Sequence, residues 1–188
     1  MKKLFILSLI ILFAISLLAN EKQQAPKFEL QNMKGEVVKL SDFSNKLVLL
    51  DFWATWCVPC LKELPHLSKL QSKYGEDIQV IAIDVDRPRS ISKAKAYIKS
   101  NKFDFITLFD SNGEVTDLYN ITNPPRTILI NPAGEIIFEH DGYKRGDEKQ
   151  LEAEIVKWIS QKSSKSDTLS KKKSQSKLEE AKSESGNE

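Results

Sequence analysis

Cys57 and Cys60 are the two cysteines of this 188-residue chain, and they stand two residues apart in Trp56-Cys57-Val58-Pro59-Cys60. A disulfide at that spacing closes so short a loop that it removes little chain entropy from the unfolded state. The pair therefore predicts a bond that opens and closes rather than a structural staple. Cys57 follows a strand-like apolar run and is expected in the first turn of a helix, where unpaired amides and aligned peptide dipoles favour a thiolate. That makes Cys57 the attacking sulfur, with a pKa below the free value of about 8.5. Cys60, one turn later, is placed to attack the mixed disulfide and release the product. Pro59 suits an early helical position, where its missing donor is no loss. Exchange between two sulfurs calls for no cofactor.

Two acids bracket the pair. Asp51 is embedded in the apolar run from Leu47 to Phe52, and Glu63 lies three residues beyond Cys60. A carboxyl enclosed in apolar surroundings has its pKa raised and exchanges protons near neutral pH, so either acid can accept the Cys60 proton. The alternatives are a strand-end Asp bonded to backbone and a solvated helix Glu. Trp53 and Trp56 are expected to crowd the site and limit water. Zinc needs about four ligands at suitable spacing. Only His66 and His140 add imidazoles, so a metal site is not expected. Neither histidine has the setting of a Cys-His hydrolase, and His66 reads as a helix-surface residue.

Both ends of the chain are separable from this chemistry. Lys2 and Lys3 precede a 16-residue apolar stretch, Leu4 to Ala19, which reads as a signal peptide or an N-terminal membrane anchor. Either places the remainder in an extracytoplasmic space, bacterial periplasm or the outer face of the cytoplasmic membrane, where disulfide exchange is expected. Residues 163–188 are rich in Ser, Lys and Glu and read as a disordered tail. Without Lys2 and Lys3, 26 basic residues face 26 acidic ones, which argues against a nucleic-acid partner. A single domain over 25–162 remains.

The elements that must position the cysteines follow from periodicity. Phe28-Glu29-Leu30 and Val37 to Leu40 form a hairpin about Gly35. Leu47 to Phe52 has the continuous apolar character of a central strand covered on both faces. Leu61, Leu64, Leu67 and Leu70 recur along a helix that runs to about Tyr74, with Pro65 expected to kink it. Val80 to Val85 predicts a strand, Ser90 to Asn101 a helix and Phe103 to Phe109 a strand. Asp110 to Gly113 is a turn, and Val115 to Tyr119 makes at most a short helix. Thr127 to Asn131 and Glu135 to His140 form a hairpin about Pro132-Ala133-Gly134. Asp147 and Gln150 suggest a capping box for a last helix that buries Ile155, Trp158 and Ile159. The order of strands and helices predicts an α/β domain with parallel crossovers.

The run Asp51-Phe52-Trp53-Ala54-Thr55-Trp56-Cys57-Val58-Pro59-Cys60, with Pro65 and the opening Ala25-Pro26-x-Phe28-x-Leu30, resembles the thioredoxin superfamily. Within it the chain is similar to the exported TlpA and ResA-like thiol-disulfide oxidoreductases, over about Ala25 to Trp158. The resemblance implies a thioredoxin-like fold: a mixed central sheet flanked by helices, an N-terminal hairpin, and an inserted strand and helix over Asp86 to Phe105. It implies that Pro125 is the cis-proline lying against the cysteines, so that the Pro124 to Pro125 bond is cis. Trp56, Pro59, Pro124, Pro125 and Arg126 then meet the substrate chain, with Arg126 favouring an acidic surface. Asp51 matches the buried Asp of thioredoxin, where this branch often has Asn, and Glu63 matches the branch's active-site Glu. If both are buried they titrate as a coupled pair. The implied activity is disulfide exchange with protein thiols, as a reductase fed by a membrane redox partner and serving cytochrome c maturation. A disulfide-forming oxidase, a thiol peroxidase and a non-enzymatic client-binding domain are the alternatives.

Overall fold

The computed structural model describes residues 23–164. The N-terminal segment 1–19, read as signal peptide or anchor, lies outside the described residues, as does the tail from 165 onward. Residues 163 and 164 continue the last helix instead of starting the tail. Among the described residues no helix is long and apolar enough to cross a membrane.

Among the described residues seven strands form one mixed sheet: β1 (Glu29–Asn32), β2 (Val37–Lys39), β3 (Leu47–Trp53), β4 (Ile78–Asp84), β5 (Ile106–Phe109), β6 (Arg126–Ile130) and β7 (Ile136–Asp141), in the order β2-β1-β5-β4-β3-β6-β7. β3, β4 and β5 are parallel, and the outer pairings are antiparallel. Every residue of β3 is buried, as its unbroken apolar run requires of a strand covered on both faces. The helices are α1 (Val58–Tyr74), α2 (Ile91–Asn101), α3 (Glu114–Leu118) and α4 (147–164).

The connections β3-α1-β4 and β4-α2-β5 step the same way along the sheet. With right-handed crossovers this puts both helices on one face. That face holds Leu64, Leu67 and Leu70 of α1, Ala94 and Ile98 of α2, and Leu151 and Ile155 of α4, packed on Leu49, Trp53, Val80 and Leu129. The opposite face buries Val48, Leu50, Phe52, Ile81 and Ile83 under Phe28, Val115 and Tyr119. Period-two alternation along β3 therefore turns Asp51, between Leu49 and Trp53, toward α1.

α1 runs through Pro65 without a break. Pro65 has no amide hydrogen to give the Leu61 carbonyl, and the Tyr97 hydroxyl donates to that carbonyl at 3.5 Å. Residues 86–105 carry a 3-10 turn (Pro88–Ser90) and α2, so the expected inserted strand is absent there and β5 begins only at Ile106. Phe103 and Phe105 instead stack on one another ahead of the strand, and both pack into the helix-covered core. Asp147 does not make the expected capping box: its carboxylate accepts from the Lys144 amide at 2.7 Å and lies against His140. Of the expected inner face of α4, Ile155 is buried, while Trp158 and Ile159 are half-buried. Gly35 turns the first hairpin with φ of +84°, a conformation costly for a side-chain-bearing residue.

Candidate active site

The polypeptide leaves β3 at Trp53 and enters α1 at Val58, so Trp53 and the four residues from Ala54 to Cys57 shape the site. Their backbone is pinned at three points. The Val85 amide donates to Trp53 O at 2.9 Å, the Thr55 amide to Asp86 Oδ2 at 2.8 Å, and the Cys57 amide to Ala54 O at 3.1 Å. Cys57 is the N-cap of α1 in extended conformation, one position before the first turn where the sequence places it. Its sulfur does what an N-cap side chain does: Sγ accepts the Cys60 amide hydrogen at 3.2 Å. The same group would stabilise a thiolate. The two cysteines are joined, with Cα atoms 5.3 Å apart.

Access to the two sulfurs differs. Cys57 keeps 4 % exposure between the open side chains of Trp56 and Val58, whereas Cys60 has none. Trp56 is 63 % exposed, so much of its ring faces solvent next to Cys57 in the chain. Trp53 is fully buried, 5.9 Å from the Tyr97 ring, and belongs to the core. The Pro124 to Pro125 bond is cis, with Pro125 buried and Pro124 half-buried. The Pro125 carbonyl accepts from the Gly142 amide at 2.8 Å.

Asp51 and Glu63 both face the interface of α1 with the sheet. Asp51 is completely buried with no hydrogen-bond partner for either oxygen among the described residues, and its pKa is held well above the carboxylate range, first by burial and then by the charge of Glu63. Glu63 accepts the Thr127 hydroxyl at 3.0 Å through Oε1. Burial pushes Glu63 up to about 7, Thr127 works against that, and the charges of Asp147 and Glu148 add to it. Asp51 is thus not a strand-end residue satisfied by backbone, and Glu63 is not a solvated one. Thr127 is the register partner of Asp51 across β3 and β6, and His140 is the partner of Thr127 across β6 and β7.

Arg126 departs from expectation. Its guanidinium is held by Glu139 and Asp141 of the neighbouring strand, so its charge is already matched and is not free to select acidic substrates. His66 is half-buried and lines a cavity with Glu63 instead of lying on the open helix surface. A second acid pair escaped sequence reasoning: Asp84 and Asp86, both buried at the end of β4, with Asp84 raised to about 8 by burial and by Asp86. The one signal was two aspartates ending an apolar strand beside the cysteine loop.

The geometry has direct counterparts in known proteins. Residues 22–139 match the AhpC/TSA family. The chain is 34% identical to the thiol-disulfide oxidoreductase ResA of Halalkalibacterium halodurans, over 78% of this chain and 81% of that protein. The chain belongs to the AhpC/TSA family, in the ResA-like branch of the thioredoxin superfamily. This ResA-like chain is also 37% identical to the thioredoxin-like protein YneN of Bacillus subtilis, over 65% of this chain and 72% of that one. A Chlorobium tepidum protein designated thiol:disulfide interchange protein DsbE superposes with a TM-score of 0.67 at 33% identity, covering 73% of this chain and 96% of that one. The ResA-like chain is accordingly an extracytoplasmic thiol-disulfide oxidoreductase with an active-site cysteine pair.

Proposed function

We propose that the protein reduces disulfides of extracytoplasmic proteins, with Cys57 attacking and Cys60 resolving. The observation that carries this reading is the asymmetry of the pair: Cys57 caps α1 and keeps 4 % exposure, while Cys60 is fully buried. A substrate sulfur reaches Cys57 only. Glu63, raised to about 7, accepts the Cys60 proton when ionised, with the Asp51 carboxyl electrostatically linked to it, and the Glu63 charge also disfavours a thiolate nearby. Because a stabilised thiolate stabilises the reduced form, its disfavour lowers the potential and supports reduction over oxidation.

The substrate chain docks on Trp56, Pro59, Pro124 and Pro125, with Arg126 supporting the strand behind them. Electrons arrive from a membrane redox partner, and the substrates include disulfides that must be reduced during cytochrome c maturation, as the resemblance to the exported TlpA and ResA-like oxidoreductases implies. The reduction potential tests the direction. A value near −270 mV supports a reductase, and one near −120 mV an oxidant. Loss of insulin reduction in Cys57→Ala tests the exchange chemistry itself, while client binding that survives replacement of both cysteines by Ala would favour a non-enzymatic binding domain. The AhpC/TSA match favours one second reading, a thiol peroxidase, which hydrogen peroxide consumption by the reduced protein would support.

A further inference from the structure

Glu63 is 4 % exposed, and its Oε2 has no hydrogen-bond partner among the described residues. The side chain lines a cavity of about 10 Å³ between α1, β7 and α4. That is the least volume that holds one water molecule, and a water there needs two or more polar partners. Leu67, Phe138 and Leu151 supply apolar walls, while His140 and Glu148 bring polar groups to the same space as Glu63.

His140 lines this cavity and is itself part-exposed. Its side chain is 31 % exposed, and Nε2 lies 3.0 Å from Asp147 Oδ2. Asp147 also accepts the Lys144 amide hydrogen, and these contacts hold its carboxyl below the usual range. The ionised Asp147 places the imidazole hydrogen on Nε2 and leaves Nδ1 as an acceptor. Glu148 is engaged differently: its Oε2 takes the Tyr143 hydroxyl at 2.9 Å and the Gly146 amide at 2.8 Å.

We propose that Glu63 returns the Cys60 proton to solvent through a water in this cavity and then through His140, with Asp147 fixing the imidazole. This rests on the reading that Glu63 accepts the Cys60 proton. In the resolving step the Cys60 thiol gives its proton to the Glu63 carboxylate, its sulfur bonds to Cys57, and the substrate sulfur leaves as a thiolate. The Glu63 proton passes to the water and to His140, the imidazolium releases a proton to bulk, and the departing thiolate takes one up. The groups that face Glu63 are Asp51 on β3, Thr127 on β6, His140 on β7, Tyr143 after β7, Asp147 and Glu148 on α4, and His66 on α1 itself. His140 and Asp147 do not touch the sulfurs; they are positioning residues that act through Glu63.

The test is stopped-flow reaction of the reduced full chain with dithiobis-nitrobenzoate. The first thiolate released reports attack by Cys57, and the second reports resolution by Cys60. His140→Gln and Asp147→Asn should leave the first phase unchanged and slow the second about tenfold, below the roughly 10²–10⁴ attributable to a general base. Added imidazole should restore the rate in His140→Gln, and the wild-type second phase should not depend on buffer concentration. Wild-type second phases in both variants without imidazole acceleration, a slow phase in His66→Gln alone, or buffer dependence in the wild type would each overturn the relay. An unchanged Glu63→Gln overturns the underlying base role, whereas slow Glu63→Gln with normal His140→Gln overturns only the relay.

Discussion

Two buried acid pairs flank the cysteine loop, and they are built for different ends. Asp51 and Glu63 lie under α1, joined through the charge of one acting on the other, and Glu63 borders a cavity that leads toward His140. Asp84 and Asp86 lie at the end of β4, where Asp86 holds the Thr55 amide. Burial raises the first-named pair and Asp84 alike. What separates them is surroundings: Glu63 lines a cavity that His140 also lines and can pass a proton there, while in the second pair Asp86 is clamped to the Thr55 amide and positions the loop. The raised pKa of Glu63 and of Asp84 thus marks their burial and does not by itself assign either a proton-carrying role.

The comparison breaks most readily at Glu63. Glu63→Gln should slow resolution by about 10² or more at neutral pH and remove the inflection near 7 from the rate profile, whereas Asp84→Asn should keep that inflection. Stopped-flow rates across pH 5 to about 9 check both against the ordinary titration range.

Stability against pH should separate the pairs next. Glu63 binds its proton more tightly in the fold than in the unfolded chain, so the fold loses stability as pH rises from the ordinary value of 4.5 to about 7. Glu63→Gln should recover on the order of 3 kcal/mol above that window. The Asp84 contribution should be lost over a wider span, from 3.8 to about 8, and Asp84→Asn should flatten that part of the curve. Urea titrations at several pH values measure both.

Smaller effects sharpen the contrast. Asp86→Ala removes the acceptor of the buried Thr55 amide and should cost about 1–3 kcal/mol, read from the denaturation midpoint. Thr127→Val removes the one hydrogen bond that lowers Glu63, so the inflection near 7 should move upward by about one unit or less. A downward move would show that Thr127 does not serve the Glu63 carboxylate.

The order of strands and helices was legible because apolar periodicity is local: the unbroken run in β3 and the leucine stripe of α1 report their own burial. The missing strand at 103–105 was not legible, since Phe103 and Phe105 have strand-like composition but pack on each other ahead of β5. The outward turn of Trp56 and the half-buried place of His66 are likewise set by neighbours distant in sequence.

By itself the sequence determined that two sulfurs are paired for exchange, that two acids stand near them in the chain, and that a helix begins at the pair. Those statements need only spacing and side-chain chemistry. Tertiary structure alone decided that Thr127 meets Glu63, that Glu139 and Asp141 neutralise Arg126, and that His140 shares a cavity with the acid. Strand register and helix packing bring these residues together across 64, 13 to 15 and 77 positions, and no local pattern records such distances.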